Sequence, residues 1–173
     1  MRPFDRRGRL RASLLGMAMV ACLALPAAAS ADTTGSPGGG TAQVTVGATV
    51  HVTAKLVAVV DVSFSCDPFL IYDWQTGTYV ESTVGHLSDS GATLTQVQGR
   101  SIASGSAEYA SGPSSIVVCD GVTVQTRSVT IMASTLPWKS GAAVVNAEVD
   151  VFSDGFEARD LGFSGPVVVK LGK

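Results

Sequence analysis

The chain is poor in the residues that most often carry chemistry. Its 173 residues include only three cysteines and two histidines, and aromatic residues make up 6% of the whole. The histidines, His51 and His86, are far apart, and neither has a neighbouring histidine, cysteine or regularly spaced carboxylate. A metal site or a histidine-based catalytic group needs several such residues at suitable spacing. We therefore interpret both histidines as ordinary polar residues, and we predict no metal and no cofactor.

Catalytic motifs are also missing from the sequence. A serine hydrolase often carries its nucleophile in a Gly-x-Ser-x-Gly turn, and Ser104, within Ala103-Ser104-Gly105-Ser106, lacks that context. A glycosidase needs two carboxylates that flank a cleft. Nothing in the sequence selects such a pair among its candidates, which are Glu81, Glu108, Glu148 and Glu157. We predict that the protein is not an enzyme.

Long apolar runs are absent beyond the N-terminal region. There, five arginines precede an apolar stretch at residues 13–25, which is shorter than the roughly 20 residues that a membrane helix needs. The sequence Ala29-Ser30-Ala31 follows and has the small-x-small form that signal peptidase cleaves. We predict that residues 1–31 are a signal peptide, that the protein is secreted and extracellular, and that it has no membrane span.

Two variants of this export signal stay open. The pair Arg6-Arg7 partly resembles a twin-arginine signal. Cys22 follows Met19-Val20-Ala21, which loosely resembles a lipoprotein cleavage box. Cleavage there would leave the protein lipid-anchored at Cys22 instead of released.

Basic charge is scarce once the predicted signal peptide is removed. Of the 12 basic and 14 acidic residues, residues 1–31 contain five and one, so the remaining chain has seven basic and 13 acidic residues and a net charge of −6. The seven cations are scattered singly along the sequence. This distribution indicates neither nucleic acid nor an anionic membrane surface as a partner.

The sequence after residue 31 has the residue pattern of a β-protein. Residues 32–42, rich in Gly, Pro, Ser and Thr, predict a flexible leader, and no later segment has the 3.6-residue period of a helix. Alternation with a period of two predicts clear strands at residues 43–53, 55–66, 143–151 and 166–171. Weaker strands are predicted at residues 93–99, 101–107, 115–119 and 122–133.

Two local features refine this strand pattern. We expect Asp120-Gly121 to join the strands on either side of it in a hairpin, and the apolar phase changes near residues 126–128, which predicts a bulge or a strand break. The pattern gives each strand one face toward the core and one face toward solvent. It therefore predicts an all-β domain over residues 43–173. Its expected architecture is an immunoglobulin-like antiparallel β-sandwich of about nine strands.

Cys66 and Cys119 are the two cysteines that remain after signal cleavage. In an exported chain such a pair is typically a disulfide, and closing a loop of roughly 50 residues contributes about 4 kcal/mol in the loop-entropy description. Both cysteines end predicted strands, so we expect one inter-sheet disulfide. The spacing resembles the bridge of immunoglobulin-like domains, although Val117 stands where the tyrosine corner of antibody-type domains has its tyrosine.

Several stretches together resemble a family of small secreted actinobacterial proteins. They are the string from Leu94 to Gly105, the segments Ser65-Cys66-Asp67-Pro68 and Val118-Cys119-Asp120-Gly121, and the string from Gly141 to Ala147. The likeness covers most of residues 45–171, and its motifs are turns, a cysteine pair and strand alternation. Because the family has no known function, the resemblance implies fold and compartment and assigns no catalytic residue.

Residues 150–160 (DVFSDGFEARD) superficially resemble a calcium-binding loop. Phe152 fills the position where the second ligand of such a loop would stand. We interpret the segment as a strand that ends in a Ser-Asp-Gly turn.

Residues 69–81 (FLIYDWQTGTYVE) predict a β-hairpin that turns at Gln75-Thr76-Gly77 and concentrates Tyr72, Trp74 and Tyr79. Such aromatics either pack in the core over the disulfide or contact a ligand, because they supply large contact area at low entropic cost. The predicted function is a secreted, non-catalytic binding or interaction module at or outside the cell envelope, with a cell-wall glycan or a protein as partner. The alternative is a small-ligand carrier or a secreted protein inhibitor on an immunoglobulin-like scaffold.

Overall fold

The computed structural model describes residues 41–88, 90–108, 115–156 and 158–172 of the chain. The predicted signal peptide, its cleavage site and residues 32–40 of the predicted leader lie outside this part. Within it, no helix combines the length and the apolar character that crossing a membrane requires. The described chain consists of strands, turns and a short 3₁₀ helix at Asp154–Phe156, which confirms the all-β prediction.

Thirteen strands follow one another in the described residues. They are β1 (Gln43–Val46), β2 (Thr49–Ala54), β3 (Val57–Ser65), β4 (Phe69–Asp73), β5 (Thr78–Ser82), β6 (Val84–Leu87), β7 (Gly91–Gln98), β8 (Ser101–Glu108), β9 (Ile116–Val118), β10 (Gln125–Ala133), β11 (Gly141–Ser153), β12 (Arg159–Phe163) and β13 (Val167–Gly172).

Seven of these strands close into a barrel. Their hydrogen-bonded order is β13-β2-β3-β10-β8-β7-β11, and β13 closes the ring because it pairs with β2 on one edge and with β11 on the other. The β13–β2 pairing is parallel, whereas the other pairings are antiparallel. The expected sandwich of two separate antiparallel sheets therefore differs from the fold observed, in which one sheet continues around the core.

The barrel interior is filled by aliphatic side chains that alternate along the strands. Its fully buried members include Val50, Ala58, Val60, Val62, Leu94, Ala103, Ile131, Val145, Val149 and Leu171. On β11, Val149 is buried and its neighbour Glu148 is exposed, as the alternation of the sequence predicts. Removing this apolar surface from water stabilises the fold.

A glycine permits the narrowest contact in the barrel. Strands β8 and β10 pair over two positions, Met132 with Ser106 and Ala133 with Gly105. A Cβ atom added to Gly105 would collide with the carbonyl oxygen of Met132 and with the side chain of Ile131. The absence of a side chain at this position therefore lets the two strands approach and the ring close.

Two details of the predicted strands change in the structure. The strand predicted at residues 43–53 is interrupted at Gly47, and β1 and β2 pair with successive halves of β3. The phase change in the other strand is a strand break, because β10 begins at Gln125 and both Val122 and Val124 precede it, exposed to solvent.

The predicted hairpin at Asp120-Gly121 is wrong, because β9 pairs with β6 and not with β10. The Asp120 carboxylate accepts hydrogen bonds from the backbone N–H groups of Val122 and Thr123, at 2.9 and 2.6 Å, and from the Thr123 hydroxyl. These bonds lower the pKa of Asp120 to about 2, with the Thr123 backbone bond as the largest cause. They form a local side-chain turn that leads the chain away from β9 and toward β10.

The predicted disulfide between Cys66 and Cys119 is confirmed, with an S–S distance of 2.07 Å, but it links two strands of one sheet and not two sheets. Cys66 directly follows β3, a barrel strand, and Cys119 directly follows β9, which lies beyond the ring at the edge of the sheet. The bridge therefore fastens the β6–β9 extension to the barrel.

Candidate functional site: the aromatic hairpin

The hairpin formed by β4 and β5 is a two-stranded sheet separate from the barrel. We call it the aromatic hairpin, after Tyr72, Trp74 and Tyr79. Its register pairs Phe69 with Ser82 and Tyr72 with Tyr79. Because side chains alternate across a strand, Leu70, Tyr72, Tyr79 and Glu81 share one face, and Phe69, Ile71 and Val80 share the other.

The second of these faces attaches the hairpin to the core. Phe69 is fully buried, and Ile71 is partly buried against the core cluster. A Cβ atom on Gly85 of β6 would come within 3.1 Å of the Phe69 ring and 2.9 Å of Cys119 Sγ. Phe69, the disulfide and β6 therefore meet at one point, which holds the base of the hairpin.

The turn of the hairpin is organised by Asp73. Its carboxylate accepts the backbone N–H of Gln75 at 2.8 Å and the hydroxyl of Thr76 at 2.9 Å. These two bonds, the Gln75 bond first, lower the pKa of Asp73 below its ordinary value. Gly77 completes the turn with a φ of 70°, a conformation that glycine adopts without the penalty other residues have. The turn stands where the sequence predicts it.

The outward face carries an aromatic cluster. The rings of Tyr72 and Trp74 meet edge to face, with centroids 4.8 Å apart and planes at 83°, and those of Tyr72 and Tyr79 lie 5.3 Å apart at 68°. Trp74 is 81% exposed and Tyr79 is 70% exposed, whereas Tyr72 is half-buried between them. The structure thus brings the three predicted residues together and excludes a core position for Trp74.

The charge around this cluster has one sign. Residues 69–82 contain Asp73 and Glu81 and no lysine, arginine or histidine. Glu81 is exposed on the same face as the tyrosines. The surface therefore offers aromatic faces together with carboxylate, hydroxyl and amide groups, and it presents no cation that would attract an anionic ligand.

A second polar cluster lies at the end of β11 and was missed by sequence reasoning. Asp150 is buried and accepts two hydrogen bonds from Arg159, at 2.7 and 2.8 Å, while the guanidinium lies 5.3 Å from the Phe152 ring centre. His86 Nε2 lies 3.0 Å from Asp154 Oδ1. The two partners of each pair belong to different elements, β11 with β12 and β6 with the 3₁₀ helix, so sequence spacing alone did not signal their pairing.

The segment that resembles a calcium loop adopts another arrangement. Asp150 binds Arg159, Asp154 contacts His86, and Asp160 is buried on the opposite side of its strand. Within the described ranges no group of three or more histidine, cysteine or acidic side chains is placed to hold a metal ion. His51 lies exposed on β2, away from His86.

Trp138 differs from Trp74 in its surroundings. Trp138 lies in the loop before β11 and is only 4% exposed. Its backbone N–H donates to the carbonyl of Lys55 at 2.7 Å. Its indole N–H is buried without an acceptor among the described residues.

Surface clefts are present elsewhere on the barrel. One of about 310 Å³ lies over β7, β8, β11 and β12 and is lined by exposed polar residues that include Thr93, Ser106 and Asn146. A second, of about 400 Å³, lies between Trp138 and the turn that joins β2 to β3. Neither cleft enters the filled interior of the barrel.

Comparison of the chain with protein-family models, with curated proteins and with solved structures gives no match.

Proposed function

We propose that the protein is a secreted, non-catalytic binding module that uses the aromatic hairpin to hold a cell-wall glycan. The observation that carries this proposal is the exposure of Trp74 and Tyr79 on a hairpin whose other face is anchored in the core. An 81%-exposed tryptophan contributes little to folding. Its large area and indole N–H fit a contact with a partner.

The chemistry of the surface favours a glycan over a protein as the partner. Aromatic faces stack on the C–H surfaces of sugar rings, and the exposed Glu81 carboxylate on the same face can accept hydrogen bonds from sugar hydroxyls. The acidic groups of the hairpin, Asp73 and Glu81, disfavour anionic polymers at this surface. A glycan without anionic substituents is therefore the ligand class that this surface fits.

The proposed location outside the cell follows from the predicted signal peptide at residues 1–31. The disulfide supports it, because disulfides persist in oxidising compartments and are rare in the cytosol. We propose that the exported protein is released from the cell. Lipid anchoring at Cys22 is the minor alternative. We also propose that the chain is related to the small secreted actinobacterial proteins that its sequence resembles.

The proposed binding module shares two features with immunoglobulin-like domains, the disulfide between Cys66 and Cys119 and the inward alternation on long strands. The closed path of hydrogen bonds through β13 distinguishes this fold from an open sandwich. A carrier of small ligands would need a deep apolar pocket. The two clefts described above do not have this form, so they do not favour the carrier function.

The test removes the exposed tryptophan and compares it with another exposed aromatic residue. We expect Trp74→Ala to lower retention on the neutral polysaccharide fraction of the cell wall by at least tenfold, because an aromatic anchor at a contact contributes roughly 2 kcal/mol or more. The free energy of unfolding should change by less than about 1 kcal/mol, as at most surface sites. Phe163→Ala, a partly exposed aromatic on β12, is the matched control and should bind like the wild type.

Two results would overturn the proposal. One is a Trp74→Ala protein that melts far below the wild type, which would make the hairpin structural. The other is a normally folded Trp74→Ala protein that is still retained at wild-type strength. Retention of a soluble partner protein in place of the glycan, lost in Trp74→Ala, would keep the hairpin as the site and refute the glycan.

A further inference from the structure

Three connecting segments meet at the end of the barrel that lies away from the aromatic hairpin. They are the turn at Lys55-Leu56, the turn at Gly99-Arg100 and the loop at residues 134–140. The pairs Ala54–Val57, Gln98–Ser101 and Ala133–Gly105 bring the ends of β2, β3, β7, β8 and β10 to this place. We call it the basic end, for the cations described next.

Hydrogen bonds fix two lysines beside each other at the basic end. Trp138 donates its backbone N–H to the Lys55 carbonyl at 2.7 Å. Its neighbour Lys139 donates its backbone N–H to Gln96 Oε1 at 3.0 Å, and Gln96 Nε2 donates to the Lys139 carbonyl at 2.7 Å. Gln96 is buried, so the loop that carries Lys139 is tied to the inside of the barrel.

Charge is segregated along the barrel, although it looks scattered in the sequence. Lys55, Arg100, Lys139 and Lys170 are exposed at or near the basic end, where Lys170 of β13 pairs with Ala142 at the start of β11. No aspartate or glutamate occurs in residues 49–60, 94–106, 130–146 or 167–172, whose strands and turns lie toward this end of the barrel. The acidic residues of the described chain fall in the intervening segments. Folding therefore concentrates like charges that the sequence separates.

Exposed aliphatic side chains surround these cations. Leu56 lies at the tip of the β2–β3 turn beside Lys55, and Val97 and Ile102 are paired across the strands that flank Arg100. Met132, near the end of β10, is also exposed. This end of an acidic domain therefore combines cations with exposed apolar side chains, in segments that contain no aspartate or glutamate.

We propose that the basic end docks on the surface of an anionic lipid bilayer. Interfacial binding combines apolar side chains that enter the headgroup region with cations that attract anionic lipid, and both are present here. A soluble polyanion or a nucleic acid would use the cations and leave Leu56, Val97 and Ile102 without a role. Complementarity of both charge and polarity therefore favours the bilayer.

This docking leaves the aromatic hairpin free. Strand β3 runs from Val57 at the basic end to Ser65, next to the cysteine that precedes the hairpin, and at about 3.3 Å per residue it spans roughly 26 Å. A domain held at its basic end would present the hairpin away from the bilayer. The two surfaces are separate, and this inference stands independently of the glycan proposal.

The test is cosedimentation of the exported protein, recovered from culture medium, with unilamellar vesicles. We expect binding to vesicles of phosphatidylcholine and phosphatidylglycerol in a 7:3 ratio, in roughly 50 mM salt, and weak binding to pure phosphatidylcholine, because screening and lipid charge both govern the attraction. Lys55→Gln, Arg100→Gln and Lys139→Gln should each weaken binding about fivefold. Leu56→Ser/Val97→Ser, which keeps every charge, should weaken it about tenfold or more.

Matched controls separate docking from general charge effects. Arg127→Gln removes one positive charge from β10 away from the basic end and should change vesicle binding by less than about twofold. Trp74→Ala should bind vesicles like the wild type. Circular dichroism and thermal melting confirm that each variant is folded.

Three results would refute the inference. They are equal binding to both kinds of vesicle, equal losses for Arg127→Gln and the basic-end variants, and wild-type vesicle binding by Leu56→Ser/Val97→Ser. The last result, combined with tight binding to dextran sulfate, would identify a soluble polyanion as the ligand in place of the bilayer.

Discussion

Val149 and Val168 are the same residue type on neighbouring, hydrogen-bonded strands, in opposite surroundings. Val149 of β11 is fully buried, whereas Val168 of β13 is 73% exposed. We expect Val149→Ala to lower the free energy of unfolding by about 1–3 kcal/mol, because burial is lost and a cavity remains. Val168→Ala should change it by less than about 0.5 kcal/mol. Urea denaturation of the two variants measures both values.

This pair also tests the phase of the barrel strands. Both substitutions delete the same atoms and place alanine in a strand, so a difference in β-propensity cancels between them. Equal losses of stability at the two positions would mean that β11 does not turn Val149 inward.

Residue type alone does not reveal the role of a tryptophan here. Trp74 lies in the turn after β4 and Trp138 in the loop before β11, yet the first is 81% exposed and the second 4%. Trp138 is buried because Lys55, some 80 residues earlier, accepts its backbone N–H from a neighbouring turn. Such long-range contacts leave no periodic signal, whereas the alternation that buries Val149 does.

Strand β9 shows how an exposed edge is protected. It pairs with β6 alone, and its outer edge faces the loop before β10. The Gln125 side chain accepts the N–H of Val118 at 3.3 Å and donates to the Val118 carbonyl at 2.9 Å. The amide therefore occupies the position that the backbone of another strand would take, which blocks pairing with a second chain.

We expect Gln125→Ala to expose this edge and to promote self-association. Ile116 and Val118 are already exposed on β9, so an unpaired edge would carry apolar side chains as well as free backbone groups. Light scattering after size exclusion, over a tenfold or greater range of concentration, should show oligomers for the variant and monomer for Thr130→Ala, an exposed change on the same strand as Gln125. A Gln125→Ala protein that stays monomeric, with unchanged hydrogen exchange at Val118, would contradict this role.

Strand existence was more predictable than strand pairing. The alternation in β3, β11 and β13 is a local property, and the structure confirms these strands near their predicted positions. Which strands pair depends on the direction that the chain takes after each turn. The hydrogen bonds from Val122 and Thr123 to Asp120 form a turn that directs the chain away from the expected hairpin. The aromatic hairpin was predictable because its turn signal and its paired strands are contiguous in sequence.

At the scale of the whole molecule, closure and charge segregation were out of reach of the sequence. The barrel closes because β13 pairs with both β2 and β11. In each pairing, the partner residues are more than 20 positions apart along the chain. Charge segregation depends on the same registers, since Lys55, Arg100 and Lys139 are some 40 residues apart in sequence. Both properties arise from tertiary contacts that a reading of local patterns does not contain.

The disulfide links two parts of the molecule that are held in different ways. The barrel is closed by backbone pairing, whereas β9 is joined to it through β6, the side chain of Gln125 and the bridge between Cys66 and Cys119. With a sequence separation of 53, the bridge restricts the unfolded chain and contributes about 4 kcal/mol to the free energy of unfolding. That is a large share of the roughly 5–15 kcal/mol typical of a domain.

We therefore expect Cys66→Ser/Cys119→Ser to unfold at a lower urea concentration, with a free energy of unfolding reduced by about 4 kcal/mol. Reductant should destabilise the wild type to a similar extent and leave the double variant unchanged, which is the control for effects of the reductant itself. Hydrogen exchange should quicken first at Val117 and Phe69, which pack where the bridge lies, and last at Val60 and Val145 in the barrel. A loss of less than about 1 kcal/mol, or uniform exchange across both parts, would show that the barrel holds the extension without the bridge.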